Sequence, residues 1–183
     1  MTLLLTLLAI LGVAGLWLMG LYNGLVRKRN SVKEALADVS TLLKQRFDMI
    51  PNLVNIVKGY AKHEKDVFEK VTELRSAMAN ATTPGQIDKL ENQMTGVLKT
   101  LFAVAENYPE LKANENFLNL QNTLKQLEDE IQKSRRYYNA VVKDYNNALM
   151  IFPANIVAPM FGFKPEEYFK ADPNEEKNVK IEF

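Results

Sequence analysis

The chain has 183 residues, with 23 lysines and arginines against 22 aspartates and glutamates, a formal net charge of +1. That balance excludes a general nucleic-acid binder, which would carry a basic face or stripe. The absence of cysteine excludes disulfides, thiolate metal sites and a cysteine nucleophile.

Residues 1–26 carry no charged side chain. At about 1.5 Å of helix rise per residue, the run from Leu3 to Tyr22 covers roughly 30 Å, the thickness of a bilayer's hydrocarbon core. A buried core helix rarely stays apolar on every face for so long, and a secretory signal has a basic start and an apolar stretch of roughly 7–15 residues. A transmembrane helix over 1–26 is therefore expected, with Tyr22 as its interfacial aromatic. Arg27, Lys28 and Arg29 follow at once, and the positive-inside rule then puts the N-terminus outside and the remainder in the cytoplasm. Gly20 and Gly24 form a small-xxx-small pair, which either lets two copies approach as a homo-oligomer or merely loosens the join to the next segment. Ser31 with Glu34 offers a capping box, so a helix either restarts here or runs on from the span.

With the span and a short tail set aside, roughly 120 residues remain, enough for one compact domain. Their apolar residues fall on alternating steps of three and four. Val32, Leu36, Val39, Leu43 and Ile50 form a first stripe, with Arg46 in the slot between Leu43 and Ile50. Leu53, Val57, Tyr60, Val67, Val71, Leu74 and Met78 form a second. Ile87, Leu90, Met94, Val97, Leu101, Val104 and Tyr108 form a third, and a fourth runs from Phe117 through Leu124, Ile131, Tyr138 and Tyr145 to Phe152. Four such stripes with short breaks predict an all-α fold: the transmembrane helix, then an antiparallel up-and-down four-helix bundle over 27–152. The expected helices are 31–48, 49–80, 84–106 and 114–152.

The breaks have chemical causes. Thr82 and Thr83 before Pro84-Gly85 end the second helix and can cap the third, and Asn107, Pro109 and Asn114 punctuate the next join. At the first break, Asp48 can cap a helix that has Pro51 in its first turn, which predicts a tight reversal; the alternative is one long helix kinked at Pro51. Beyond Phe152 the periodicity fails. Residues 153–169 are apolar, proline-broken and too short to span, so they either lie in the lipid interface or fold back over the bundle's end, and 170–183 read as a solvated tail.

A reversal near residue 48 would bring Arg46, Asp48 and Asn52 to the same tip as Glu106, Asn107, Tyr108 and Asn114. That makes a candidate polar interaction site, against the plainer reading that these residues cap helices. Arg46 is the most informative, because a half-buried guanidinium in a seam must be paired. On the last helix Arg136, Tyr138, Asn139, Tyr145 and Asn146 are expected to form a buried, hydrogen-bonded polar layer that fixes register. His63-Glu64 begins like a zinc-protease motif, but Val67 stands where the second histidine belongs. No catalytic, cofactor-binding or metal-ligating set emerges, and no phosphate loop or nucleophile elbow is present.

The strings YNGLVRKRN from Tyr22, RFDMIPNLVNIVKGYAKHEKDVFEKVTELRSA from Arg46, AENYPELKANENFLNLQ from Ala105 and RRYYNAVVKDYNNALMIFPANIVAPMFGF from Arg135 resemble the LemA family of bacterial membrane proteins. The resemblance runs in order from about Tyr22 to Phe169. It implies an N-terminal span, a four-helix, bromodomain-like bundle and no established enzymatic activity. The family's motif positions fall here on Arg46, Asp48, Pro51, Asn52, Lys58, Gly59, Tyr60, His63 and Glu64. In the later strings they fall on Glu106 to Pro109, Asn114, Phe117, Arg136, Tyr138, Asn139, Tyr145, Asn146 and Pro153. Phe47 and Met49 stand where members more often have Ala and Leu.

Residues and resemblance together predict a single-pass, non-enzymatic module at the bacterial inner membrane that meets a protein partner and binds no cofactor or nucleic acid. Two alternatives stand beside it. One is a membrane-shaping or membrane-sensing protein that uses 153–169. The other is a small-ligand binder or enzyme that uses Arg46, Asp48, His63, Glu64 and Glu106.

Overall fold

The computed structural model describes residues 1–61 and 65–170. Every regular element among them is helical: α1 (Thr2–Tyr60), α2 (Lys65–Met78), α3 (Pro84–Glu106), α4 (Pro109–Lys112), α5 (Glu115–Met150) and α6 (Ala154–Met160). The fold is all-α, as the stripes predict.

The expected reversal at 48–51 does not occur. Helix α1 continues through Pro51 to Tyr60, so the helices expected at 31–48 and 49–80 are replaced by α1 and α2. A proline inside a helix costs roughly 3 kcal/mol or more through its lost donor and ring clash. Phe47, Ile50, Leu53 and Val54 around it are all buried, and burial of each such side chain is worth about 1.5–3 kcal/mol. Packing on both sides of Pro51 therefore outweighs the local penalty. Nor does a helix restart at Ser31, whose hydroxyl donates to the Arg27 carbonyl at 3.3 Å inside the unbroken α1. His63 and Glu64, with Lys62, lie outside the described residues.

The chain divides into two compact units, to both of which α1 and α5 contribute. The first comprises Met1–Asp38 and Arg136–Glu166. Its residues 1–20 are exposed throughout, and burial begins at Leu25, Val32 and Ala35. Tyr138, Val142, Tyr145 and Leu149 of α5 and Ala154 and Ala158 of α6 supply the rest of its core, with Phe163. The Phe152–Pro153 bond is cis. Helix α6 ends in a Schellman turn: Phe163 N–H donates to the Ala158 carbonyl and Gly162 N–H to the Pro159 carbonyl, each at 3.1 Å. Gly162 has φ 73°, a left-handed conformation that an L side chain resists.

The second unit comprises Val39–Arg135 and the chain from Glu167. Side-chain pairs fix the direction of its helices. Asp48 meets Arg75 and Lys58 meets Phe68, so α2 runs antiparallel to α1. Arg46 meets Glu128 and Tyr60 meets Asn114, so α5 runs antiparallel to α1, and the Phe102–Phe117 ring contact sets α3 against α5. At the α2–α3 join Thr83 accepts from Gln86 N–H and the Gln86 side chain accepts from Thr83 N–H, a full capping box with Pro84 at the first helical position.

Helix α3 buries Ile87, Glu91, Met94, Leu98, Leu101 and Ala105. That stripe is rotated by one residue from the expected one: Leu90, Val97 and Val104 are only half-buried and Tyr108 is exposed. Both stripes keep steps of three and four. The one containing an acid faces inward because Arg46 waits there.

Candidate functional site

Five charged side chains form an alternating chain within the second unit. Asp88 of α3 pairs with Arg135 of α5 at 3.0 Å, Arg135 pairs with Glu91 of α3, Glu91 with Arg46 of α1 at 3.1 Å, and Arg46 with Glu128 of α5 at 2.5 Å. Arg46 and Glu91 are 5% and 4% exposed, so neither charge has solvent to fall back on. Arg46 Nη2 also donates to the Thr95 hydroxyl at 3.4 Å. At the other end, the Lys170 N–H donates to Asp88 Oδ2 at 3.1 Å and the Arg135 guanidinium lies 4.8 Å from the centroid of the buried Phe169 ring. With three carboxylates on two guanidiniums the chain carries one surplus negative charge. Burial, first of all, pushes the Glu91 carboxyl above the ordinary carboxylate range; Arg135 and Arg46 pull it back in part, while Glu128 and Asp88 add to the rise.

The polar tip expected from the sequence is not assembled. Arg46 lies in the ion chain, fourteen residues before Tyr60 and thus roughly 21 Å along α1. Asp48 makes an exposed pair with Arg75 at 3.3 Å, and Asn52 is exposed. Glu106, Asn107, Tyr108 and Asn114 do sit together at the α3–α4–α5 joins, where two of them do capping work. Asn107 is the C-cap of α3, and Asn114 Oδ1 accepts from Phe117 N–H at 3.1 Å while its Nδ2 donates to Tyr60 Oη at 3.3 Å. Glu106 and Tyr108 are exposed.

The expected polar layer on α5 lies in the first unit, with one correction. Tyr138, Tyr145 and Asn146 are buried and Asn139 is half-buried, but Arg136 is exposed, one helical step off the seam. Asn146 Nδ2 donates to the Glu166 carbonyl and its Oδ1 accepts from the Glu166 N–H, both at 2.9 Å, so one side chain clamps a backbone segment twenty residues away. The Tyr145 hydroxyl is buried with no hydrogen-bond partner among the described residues. Burial, then the charge of Glu166, raises its pKa above the usual phenol value, and Arg29 opposes that rise.

Sequence reasoning missed Asp88, Glu91, Glu128 and Arg135 as a site. The signal that could have found them is Arg46 itself: a guanidinium in one seam calls for an acid in a facing seam, and Glu91 is the acid of α3 that falls four residues after buried Ile87 and three before buried Met94.

The apolar first half of α1 is the one helix among the described residues long and apolar enough to cross a membrane, and none of its most apolar window is buried. Together with the ion chain, it defines an all-α helical module in which a candidate membrane span and a charged core share one helix. The chain belongs to the LemA family, whose model matches residues 35–183. It is similar to Protein LemA of Metamycoplasma hominis, with 27% identity over 164 residues, 87% of this chain and 74% of that protein. It is also similar to magnetosome protein MamQ 2 of Paramagnetospirillum magneticum at 25% identity and to magnetosome protein MamQ of Magnetospirillum gryphiswaldense at 22%. Each of these two matches covers 83% of this chain, which spans only 65% of the length of either magnetosome relative.

Proposed function

We propose that the protein is a single-pass, non-enzymatic scaffold of the bacterial inner membrane, with its helical units in the cytoplasm and a protein as its partner. The observation that carries this reading is α1, where residues 1–20 are exposed and, but for Thr2 and Thr6, apolar, and the same unbroken helix then buries Leu25, Val32, Val39, Leu43 and Ile50. An exposed apolar run of that length suits lipid, and its fusion to a packed stripe makes the folded part inseparable from its anchor. The polar residues support a structural task. Arg46, Glu91, Asn114 and Asn146 each bond to other parts of the same unit. The magnetosome names of relatives also fit assembly of a cellular structure better than a reaction.

On this reading the partner is assigned to a groove of about 430 Å³ between α1, α2 and α3, lined by Leu43, Phe47, Met78 and Ile87 with the exposed Lys44, Asp48 and Arg75. A photo-crosslinking residue at Asp48, in the full chain expressed in its native membrane, is expected to capture one defined protein, and one at Asn107 to capture it less or not at all. Capture of lipid alone, or of nothing at either position, overturns the scaffold reading. Proteolysis of the C-terminal tail in inverted vesicles but not in sealed cells is expected for a cytoplasmic bulk.

A further inference from the structure

We propose that α6 and the turn before it form an interfacial foot, immersed at the headgroup–acyl boundary of a bilayer rich in anionic phospholipid. This rests on the reading of α1's first half as a span, and three features of the first unit carry it further.

Helix α6 has its side chains arranged the wrong way round for water. The face turned into its unit is made of Ala154 and Ala158, both buried, while Ile156 and Met160 on the helix and Phe161 at its cap stand 53–79% exposed. Met150, Ile151 and Phe152, just before it, are 63–74% exposed. Six large apolar side chains thus share one exposed stretch, although small residues would have served outside and large ones inside had water been the surroundings.

The second feature is height. Leu3 to Tyr22 spans roughly one hydrocarbon thickness, which puts Tyr22 at its boundary. The Tyr22 ring lies 5.2 Å from that of Phe161 and 5.6 Å from that of Phe163. The Gly162 turn that ends α6 brings both rings back to Tyr22, and so sets the foot at the level where the span leaves the lipid.

The third is charge. Arg27, Lys28, Arg29 and Lys33 all precede the first acidic residue after the span, Glu34, and Lys164 follows the foot. Arg27, Lys28, Lys33 and Lys164 are exposed, and the Arg29 guanidinium packs 5.2 Å from the centroid of the Phe163 ring. Cations just outside an apolar interfacial segment match phosphodiester headgroups, and their attraction is felt within a Debye length of the surface.

The absence of cysteine makes the test direct. Single variants Ile10→Cys, Ser31→Cys, Ile156→Cys and Met160→Cys of the full chain, each spin-labelled, are reconstituted into phosphatidylcholine vesicles with and without phosphatidylglycerol, and their collision rates with oxygen and with a water-soluble nickel chelate are compared. All four positions are exposed, so the labels leave the core intact. Position 10 is expected to read deep, and position 31, roughly 14 Å past Tyr22, to read aqueous. Positions 156 and 160 are expected to read about 5–10 Å inside the boundary and to move deeper when phosphatidylglycerol is present. Aqueous readings at 156 and 160 with position 10 deep overturn the foot and leave the span standing, whereas an aqueous position 10 overturns the span itself. Equal depth in the two lipid mixtures overturns the anionic preference. Spin–spin broadening at 160 that persists at high lipid dilution overturns lipid as the occupant and assigns the face to a second copy of the chain.

Discussion

Around Arg46 the helices are joined by five charged side chains, and around Tyr145 chiefly by neutral ones, with Arg29 and Glu166 beside them. The first arrangement sits in the Val39–Arg135 unit, where each guanidinium lies between two carboxylates, and removing either arginine leaves buried Glu91 with half its pairing. The second sits in the unit that bears the candidate span, where Asn146 bonds to the Glu166 backbone and the Tyr145 hydroxyl has no hydrogen-bond partner among the described residues. The difference is in what a mistake costs. A buried charge that loses its partner is penalised by several kcal/mol and so rejects a slipped register, while a buried hydroxyl or amide is penalised by far less and tolerates adjustment. The charged core therefore specifies one packing, and the neutral core holds the segment that follows α6 at Glu166.

The largest expected effect breaks the charged side of that comparison. Arg46→Leu leaves Glu91 buried with one guanidinium and Glu128 with none, and should cost about 3–5 kcal/mol in denaturant unfolding of the full chain in detergent micelles. The double variant Arg46→Leu with Glu91→Leu removes both buried charges and is expected to lose less than the single one, since an apolar pair of similar volume can replace a buried ion pair at little cost. A double variant as unstable as the sum of its parts would show that the charges themselves, and not their mutual pairing, hold the helices.

On the neutral side, Asn146→Ala removes two bonds to Glu166 and leaves a backbone N–H and carbonyl without partners. The expected loss is about 2–3 kcal/mol, read as accelerated amide exchange confined to residues around Glu166. Exchange spreading to Arg46 and Glu91 would show that the two cores unfold as one.

The pH dependence sharpens the contrast further. Because burial holds the Glu91 carboxyl above its unfolded value, the folded protein binds a proton there more readily than the unfolded chain does. Glu91's linked contribution to stability is then fully present below the ordinary carboxylate pKa of about 4.3 and is lost as pH rises through the raised folded value. Glu91→Gln does not titrate, so the stability difference between the native chain and this variant should shrink or change sign as pH climbs from about 4 to 7. A difference that instead grows with pH would mean that the two arginines outweigh burial.

The sequence made the fold class and the candidate span legible because both depend on long-range regularity: an uncharged run of fixed length, and apolar steps of three and four. It misplaced the first reversal because Asp48 and Pro51 carry a good local helix-start signal. The buried residues on either side of Pro51 override that signal, and periodicity alone continues equally well through a break or a helix. The rotation of the α3 stripe has the same origin. Leu90, Val97 and Val104 score as apolar and Glu91 does not, yet Glu91 is inside because its charge is satisfied by residues 45 positions earlier and 44 later, which no local window contains. Arg136 shares the polarity of its neighbours but not their face of the helix: it is exposed, while Arg135 packs against Phe169. The capping readings of Thr83 and Asn114 were legible because the bonds that realise them close within three residues.

The smallest effect is also the one that tests most directly how tolerant the neutral core is. The Tyr145 hydroxyl is wholly enclosed, and its ring fills space that Phe would fill equally. An enclosed hydroxyl without a partner costs about 1–3 kcal/mol of desolvation, so Tyr145→Phe should leave stability unchanged or raise it by about 1 kcal/mol. Arg29 Nε is likewise buried without a bond, and Glu166 bears on the same hydroxyl, so a single water held among these three groups would reverse the sign. A loss above about 1 kcal/mol in Tyr145→Phe would therefore reveal such a bridge and make this core a satisfied network rather than a tolerant one.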